Sequence, residues 1–157
     1  MECHGDNLLI TQMKYEVLEG HSGINEVGNL MSKYKGNRLS LGIIDADKKV
    51  LSEYLKTFKE SKRKANVIYL KHPDNNHYLI KISPAFEKFI LQAANDAGIE
   101  RAKHKLPISD KEFFKVAKSW NLRKNQHFIN FINAIVAKNP PSIQFLRKCI
   151  EDAAKAK

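Results

Sequence analysis

The chain has 157 residues, and 43% of them are hydrophobic, which suits one globular domain with a real core and excludes wholesale disorder. No apolar run is long enough to span a bilayer, and the opening residues show no secretory signal. The two cysteines, Cys3 and Cys149, stand far apart and form no disulfide framework, so we expect a cytoplasmic protein.

The net charge of +10 is distributed unevenly along the chain. Residues 101–157 contain 13 Lys and Arg against 4 Asp and Glu, whereas residues 1–100 contain 14 against 13. A basic C-terminal part predicts an anionic partner, and nucleic acid is the commonest one. The alternatives are a lysine-rich solvated surface, and a chain whose partner is another protein or a second copy of itself.

Helices and strands alternate over the first hundred residues, which predicts an α/β domain with a mainly parallel sheet. Asp6–Met13 reads as one or two helical turns and 14–18 (KYEVL) as a strand. Leu39–Ile44 is apolar enough for a central strand buried on both faces. The other predicted elements are a helix from Ser22 to Lys35, a helix marked by Val50, Leu51, Tyr54, Leu55 and Phe58 that closes in Lys62-Arg63-Lys64, strands over Ala65–Leu70 and His77–Ile82, and a helix that Ser83-Pro84 opens and Gly98 ends.

After Gly98 the pattern becomes helical, and we expect an α/β domain over 1–98 and a basic helical extension over 99–157, packed on it or appended to it. Its helices are predicted over Asp110–Trp120, Gln126–Ala137 and Ser142–Ala154. At helical spacing, Trp120, Phe128 and Phe131 favour core packing over stacking on nucleic-acid bases. His72 and His77 flank a turn that we expect at the surface.

The apolar strand ends abruptly in Asp45-Ala46-Asp47. Side chains two positions apart in an extended chain point the same way, and ligand sites of α/β sheets lie at such strand ends. Two adjacent carboxylates repel each other unless a cation joins them, and Mg²⁺ prefers such ligands. Lys48 and Lys49 follow and can meet a phosphate near the ion. The alternative is a polar loop in which Asp47 caps the next helix.

A cation site of this kind needs a third acidic residue, and two glutamates compete. Glu19 ends the KYEVL segment before a glycine, and Glu2 lies in the opening Glu2-Cys3-His4-Gly5-Asp6. Glu87 follows a later strand and is a further candidate, although its position also suits a helix N-terminus, where a carboxylate complements the positive end of the helix dipole.

Over residues 2–97 the chain resembles a small Toprim domain, the metal-binding module of topoisomerases, bacterial primases and overcoming-lysogenization-defect nucleases. That family has a glutamate followed by an aspartate a few residues later. A helix, a strand and a second helix come next, and the following strand ends in Asp-x-Asp. This order favours Glu2 and Asp6 as the early acids and keeps Glu19 in reserve.

The resemblance implies a Toprim-like α/β fold and Mg²⁺-dependent (or Mn²⁺-dependent) processing of nucleic-acid phosphodiester bonds, of nuclease type. Asp45, Asp47, Glu2 and Asp6 would hold the metal, and Glu2 would join them or act as general acid and base. Relatives in the nuclease branch often carry a glutamate near Glu87. The alternative is a non-catalytic nucleic-acid-binding or regulatory protein on a degenerate Toprim scaffold. The residues expected to contact nucleic acid are Lys48, Lys49, Arg101, Lys103, Lys105, Arg123 and Lys124.

Overall fold

A computed structural model describes residues 4–15, 23–34, 38–47 and 52–156. Helices and strands within these ranges form one mixed α/β arrangement. Their bounds are α1 His4–Gln12, α2 Ile24–Lys33, β1 Ser40–Asp45, α3 Glu53–Lys56, β2 Lys59–Lys64, β3 Val67–Lys71, β4 His77–Ile82, α4 Phe86–Asp96, α5 Asp110–Ala117, α6 Gln126–Lys138 and α7 Pro141–Lys155. No helix in the described part of the chain is both long and apolar enough to cross a membrane.

The four described strands form one sheet in the order β1-β4-β3-β2. Strand β1 pairs with β4 in parallel, whereas β3 is antiparallel to both β4 and β2. The prediction of flanking helices is confirmed, but the prediction of a mainly parallel sheet is wrong for these strands. The reason is the length of the connections, because a parallel crossover needs a dozen or more residues and only residues 72–76 join β3 to β4.

A tight hairpin joins β2 to β3. Ala65 and Asn66 form its two-residue turn with φ angles of 47° and 65°, as a type I′ turn requires. The segment Lys59–Lys64 was predicted as the end of a helix, and this is wrong: α3 covers only Glu53–Lys56. Strand β2 is exposed and rich in charged residues, which suits an edge strand. Its side chains do not alternate between apolar and polar, so the sequence carries no strand signal there.

Helices cover both faces of the sheet. On one face, α2 and α3 pack against side chains such as Ile44, Ile68 and Leu79. On the other face, α1, α4, α5, α6 and α7 share a larger core with Ile43, Ile80 and Ile82. The basic C-terminal helices therefore belong to the same core as the sheet, because their apolar faces close over it.

Several predicted elements shift in the structure. The helix predicted over Asp6–Met13 is confirmed as α1, which begins two residues earlier. The KYEVL strand is not seen where the chain is described, because Lys14 has a φ of 67° and neither it nor Tyr15 is in a strand. Residues 16–18 and the Ser22 cap lie outside the described residues. Helix α4 begins at Phe86 rather than at Pro84.

A buried polar cluster lies at the end of the sheet where β4 begins. His72 and His77 are both buried, so the expectation of a surface turn is wrong. The Tyr54 hydroxyl is hydrogen-bonded to Nδ1 of His77 at 2.5 Å, and the Tyr54 ring stacks on His72 with centroids 5.0 Å apart. Backbone N–H groups of Asp74 and Asn75 donate to Nδ1 of His72, which fixes the turn.

We predict that this cluster makes stability depend on pH. Burial, and then the nearby His72, lower the pKa of His77, so the unfolded chain takes up a proton before the folded protein does. The free energy of unfolding should therefore fall as the pH drops below about 6.5, the ordinary histidine value. Urea denaturation between pH 7.5 and pH 5 measures this slope.

His77→Gln should flatten that pH dependence, and His127→Gln is the matched control because His127 is exposed on α6. An unchanged slope in His77→Gln would contradict the assignment, since the proton uptake would then belong to another group.

Candidate metal and nucleic-acid site

The parallel pair β1–β4 places the Asp45-Ala46-Asp47 segment. Asp45 is in register with Ile82, so both strands end at the same edge. Beyond them the pairing continues, because Ala46 N–H donates to the Ile82 carbonyl at 2.8 Å and Asp47 N–H donates to the Pro84 carbonyl at 2.9 Å. The carboxyl end of a strand, where ligands bind in α/β sheets, therefore carries both aspartates in a fixed backbone.

Asp45 is buried and tied to the start of α4. Its Oδ1 accepts a hydrogen bond of 2.9 Å from the backbone N–H of Phe86, the first residue of that helix. The positive end of the helix dipole and an otherwise unpaired N–H both favour a carboxylate there. Asp47, two residues later, is exposed and does not cap a described helix.

Glu87 lies in the first turn of α4 and is only 6% exposed. Its Oε1 pairs with Nζ of Lys118 at 2.7 Å, just past the end of α5. The expected role of complementing a helix N-terminus fits its position, and the ion pair adds a second role. The Lys118 side chain is itself mostly exposed, so one partner of this pair is buried and the other faces solvent.

The pKa of Lys118 is affected by three carboxylates. The hydrogen bond and charge of Glu87 raise the pKa of Lys118, and the charges of Asp47 and Asp45 raise it further. Asp45 and Asp47 lie at the end of β1, and Glu87 directly follows the residue whose N–H holds Asp45. We call these three residues the acidic cluster.

Helix α1 brings Asp6 toward the same end of the sheet. A Cβ atom added at Gly5 would lie 2.3 Å from carbon atoms of the Phe86 ring, so the first turn of α1 rests directly on Phe86. Asp6 is the next residue in that turn and is fully buried. Only glycine allows so close an approach, which couples α1 to the residue whose N–H holds Asp45.

Four predicted site residues lie outside the described residues: the acids Glu2 and Glu19, and the lysines Lys48 and Lys49. Within residues 4–15, 23–34, 38–47 and 52–156, no group of three or more His, Cys, Asp or Glu side chains is arranged to hold a metal ion. In donor type, the carboxylate oxygens of the acidic cluster are the protein ligands that Mg²⁺ prefers.

Among the described residues that were expected to contact nucleic acid, Arg101 is partly buried and the others are exposed. The Arg101 guanidinium is engaged within the protein, because Nη2 donates to Asp110 at 2.6 Å and the group lies over the Phe113 ring. Lys103 is exposed and pairs with Glu100 at 2.6 Å. Lys105, Arg123 and Lys124 are exposed at short 3-10 segments that contact α6.

A cavity of about 660 Å³ lies between α4 and the chain from Ile99 to Phe114. Arg101, Lys88 and Phe114 are among its lining residues, whereas none of the acidic cluster is. The cavity and the carboxylates are therefore separate places on the molecule, and the chemistry has to be argued from the carboxylates.

No protein-family model matches this chain, and no curated protein or solved structure was found to be similar to it.

Sequence reasoning missed Lys118, the cation that pairs with the buried Glu87 carboxylate. A lone lysine in a chain of many lysines carries no motif, and its role depends on α5 packing near α4. The burial of Glu87 could have been predicted from the sequence, because Phe86, Phe89 and Ile90 indicate that this turn of α4 faces the core.

We predict that Lys118→Met destabilises the protein by about 1 kcal/mol, because it leaves the buried Glu87 carboxylate without its cation, while the exposure of Lys118 to solvent limits the cost. Lys115→Met is the matched control, because Lys115 lies in the last turn of α5 just before Lys118, pairs with Glu112 at 2.8 Å, and both of these side chains are exposed. It should change the free energy of unfolding by less than about 0.5 kcal/mol. Urea denaturation at pH 7 measures both changes.

The double variant Lys118→Met/Glu87→Gln should recover part of the loss, because the uncompensated charge disappears. Equal costs for Lys118→Met and Lys115→Met would show that the Glu87 pair is an ordinary surface ion pair.

Proposed function

We propose that this chain is a Mg²⁺-dependent (or Mn²⁺-dependent) enzyme of nuclease type that processes nucleic-acid phosphodiester bonds on a Toprim-like scaffold. The observation that carries the proposal is the geometry at the carboxyl end of β1, where Asp45 accepts a hydrogen bond from the Phe86 N–H and the next residue, Glu87, pairs with Lys118. Carboxylates on their own would repel a nucleic-acid backbone, so a strand that lies beside them needs a cation there, which Lys118 supplies for binding and a metal ion for catalysis.

Asp45, Asp47 and Glu87 would supply oxygen ligands to the metal, and Glu2 and Asp6 would join them as the Toprim resemblance implies. A bound ion of this kind polarises a phosphoryl oxygen and neutralises charge that builds up in the transition state. The Phe86 N–H fixes the Asp45 carboxylate through a 2.9 Å hydrogen bond, so one ligand is held in place before substrate arrives.

Lys118 would provide the cationic contact to the substrate. Lysine is protonated at neutral pH, Glu87 raises the pKa of Lys118 further, and the side chain reaches solvent. When a phosphate approaches, the ammonium can exchange the Glu87 carboxylate for a phosphate oxygen, which frees Glu87 for the metal. The exposed Arg123 and Lys124 add positive charge six residues or less further along the chain.

One observation favours the second candidate, a non-catalytic nucleic-acid-binding or regulatory protein on a degenerate Toprim scaffold. Glu87 is already neutralised by Lys118, and the described residues provide no ready three-ligand group. In that case Lys118 permanently takes the place of the metal, and binding of nucleic acid would need no divalent ion.

We predict that the wild-type protein binds Mn²⁺ and Mg²⁺ in calorimetric titrations and that Asp45→Asn/Asp47→Asn weakens this binding at least about 10-fold, because two oxygen ligands lose their charge. Metal-dependent cleavage of labelled DNA or RNA should fall about 100-fold or more in the same variant. Asparagine preserves side-chain size and an oxygen that can accept from Phe86 N–H.

Asp74→Asn/Asp96→Asn is the control, because it removes two charges from exposed positions away from the cluster. Cleavage that is equal in the two double variants would contradict the catalytic proposal. Nucleic-acid binding without any metal binding, tested also in the presence of oligonucleotide, would support the non-catalytic candidate instead.

A further inference from the structure

Trp120 is the only tryptophan of the chain, and it is 75% exposed. It was predicted to pack in the core at helical spacing, and this is wrong: α5 ends at Ala117, so the helical face that buries Phe113 does not extend to Trp120. Phe128 and Phe131, the other two aromatic residues weighed for base stacking, are completely buried. A large aromatic ring left in water needs an explanation from function.

The loop that carries Trp120 is anchored on both sides. Leu122, two residues later, is completely buried, and its N–H donates to the Ser119 carbonyl at 3.0 Å. Asn121 N–H donates to the Ser119 hydroxyl at 3.3 Å, and Asn125 caps α6 by accepting from Phe128 N–H at 3.1 Å. The exposure of the indole therefore comes from a hydrogen-bonded turn rather than from a frayed helix end.

Trp120 lies in a cationic stretch of the chain that adjoins Glu87 through Lys118. Residues 118–124 contain Lys118, Arg123 and Lys124 and no acidic residue. Lys118 reaches Glu87 at 2.7 Å, and the two peptide units between Lys118 and Trp120 keep their Cα atoms within about 7 Å. A nucleic-acid strand advances about 3.4 Å per stacked nucleotide, so a few nucleotides cover the distance from the cluster to the indole.

The isolation of Trp120 argues against a protein-binding patch. The other exposed large apolar side chains of the described residues are Leu39 and Ile108. Ile108 lies before the opposite end of α5, and Leu39 lies at the far end of β1 from Asp45. Protein interfaces centre on clustered apolar anchors, whereas one exposed ring among cations matches the aromatic platforms of proteins that bind single strands.

We infer that Trp120 is a stacking platform for an unpaired base of a single-stranded or frayed nucleic acid whose backbone passes the acidic cluster. Arg123 and Lys124 hold phosphates beside it. A base inside a duplex is stacked on both sides and offers the indole no free face, so the inference names the substrate class as unpaired strands. It rests on the proposed function, because the strand it binds is the proposed substrate.

The single tryptophan makes the test direct. An oligothymidylate of about 16 nucleotides is added to wild-type protein in EDTA, so that binding is measured without metal and without cleavage. We expect quenching of Trp120 fluorescence by this strand, little quenching by a closed hairpin duplex with the same number of base pairs, and affinity that falls steeply with salt.

Variants are compared by fluorescence anisotropy of the labelled oligothymidylate. Trp120→Ala should weaken binding by about 5- to 150-fold, the range expected for loss of one stacked base, while Trp120→Tyr should keep most of the affinity. Ile108→Ala is the matched control, because Ile108 is also 75% exposed and lies away from the acidic cluster. It should bind like the wild type.

The outcomes separate this inference from the catalytic proposal. Trp120-dependent binding of the strand without any nuclease activity leaves the inference standing and removes the catalytic proposal. Cleavage that persists while Trp120→Ala binds the strand as tightly as wild type overturns the inference alone. Equal quenching by the duplex overturns it as well, and so does self-association that Trp120→Ala abolishes while the strand fails to bind.

Discussion

The parallel pairing of β1 with β4 is the constraint on which the candidate site depends. It ends both strands at one edge of the sheet, with Asp45 opposite Ile82. The chain after β4 then turns into α4 within four residues, so Phe86 N–H meets the Asp45 carboxylate and Glu87 enters the same neighbourhood. A shift of this register by one residue would turn Asp45 to the other face of the sheet and separate it from α4.

Placing these carboxylates at one edge of the sheet costs electrostatic free energy, and the positive charge of a lysine offsets part of it. A buried carboxylate favours either a proton or a positive ion beside it. For Glu87 that ion is Lys118, which lies just past the end of α5 and whose pKa is raised mainly by Glu87. The same interaction connects the sheet to the basic helical part, since α5 and the loop after it carry both Lys118 and the exposed Trp120.

Two functional accounts follow from that one ion pair. If Lys118 exchanges Glu87 for a phosphate, the acidic cluster is freed for a divalent ion when substrate arrives, which couples substrate binding to metal binding. If the pair never opens, Lys118 replaces the metal and the surface around it only binds nucleic acid. Both accounts use the same residues, and the strength of the Glu87–Lys118 pair decides between them.

The sequence predicted the elements whose signals are local and strong. Strand β4 was predicted with its observed bounds, and the helices α4, α6 and α7 were found within a few residues, because long apolar faces mark them. The edge strand β2 was mistaken for the end of a helix, since an exposed run of Lys, Glu and Arg has no two-residue apolar alternation. The antiparallel pairing of β3 with β4 was within reach, because the connection over residues 72–76 is too short for a parallel crossover. The pairing of β2 with β3 was not, because β2 itself was not recognised as a strand.

For the candidate site, the sequence identified Asp45 and Asp47 from the abrupt end of an apolar strand, and it named Glu87 and Asp6. It did not identify Lys118, because a contact between α4 and α5 is a property of tertiary packing. It misplaced Trp120 for a related reason: helical spacing continued through residue 120, whereas the turn at Ser119–Leu122 ended the helix three residues earlier.

The central claim is that Asp45, Asp47 and Glu87 form one cation-attracting site at the carboxyl end of β1. The most direct measurement is a titration of the ¹⁵N-labelled protein with Mn²⁺, followed by paramagnetic broadening of its amide NMR signals. The account predicts that the amides of Asp45, Asp47 and Phe86 broaden first, and that they do so at lower Mn²⁺ in Lys118→Met, which lacks the competing ammonium. Broadening centred on other acids, such as Asp110 and Glu112 at the start of α5, or spread evenly over the protein, would contradict it.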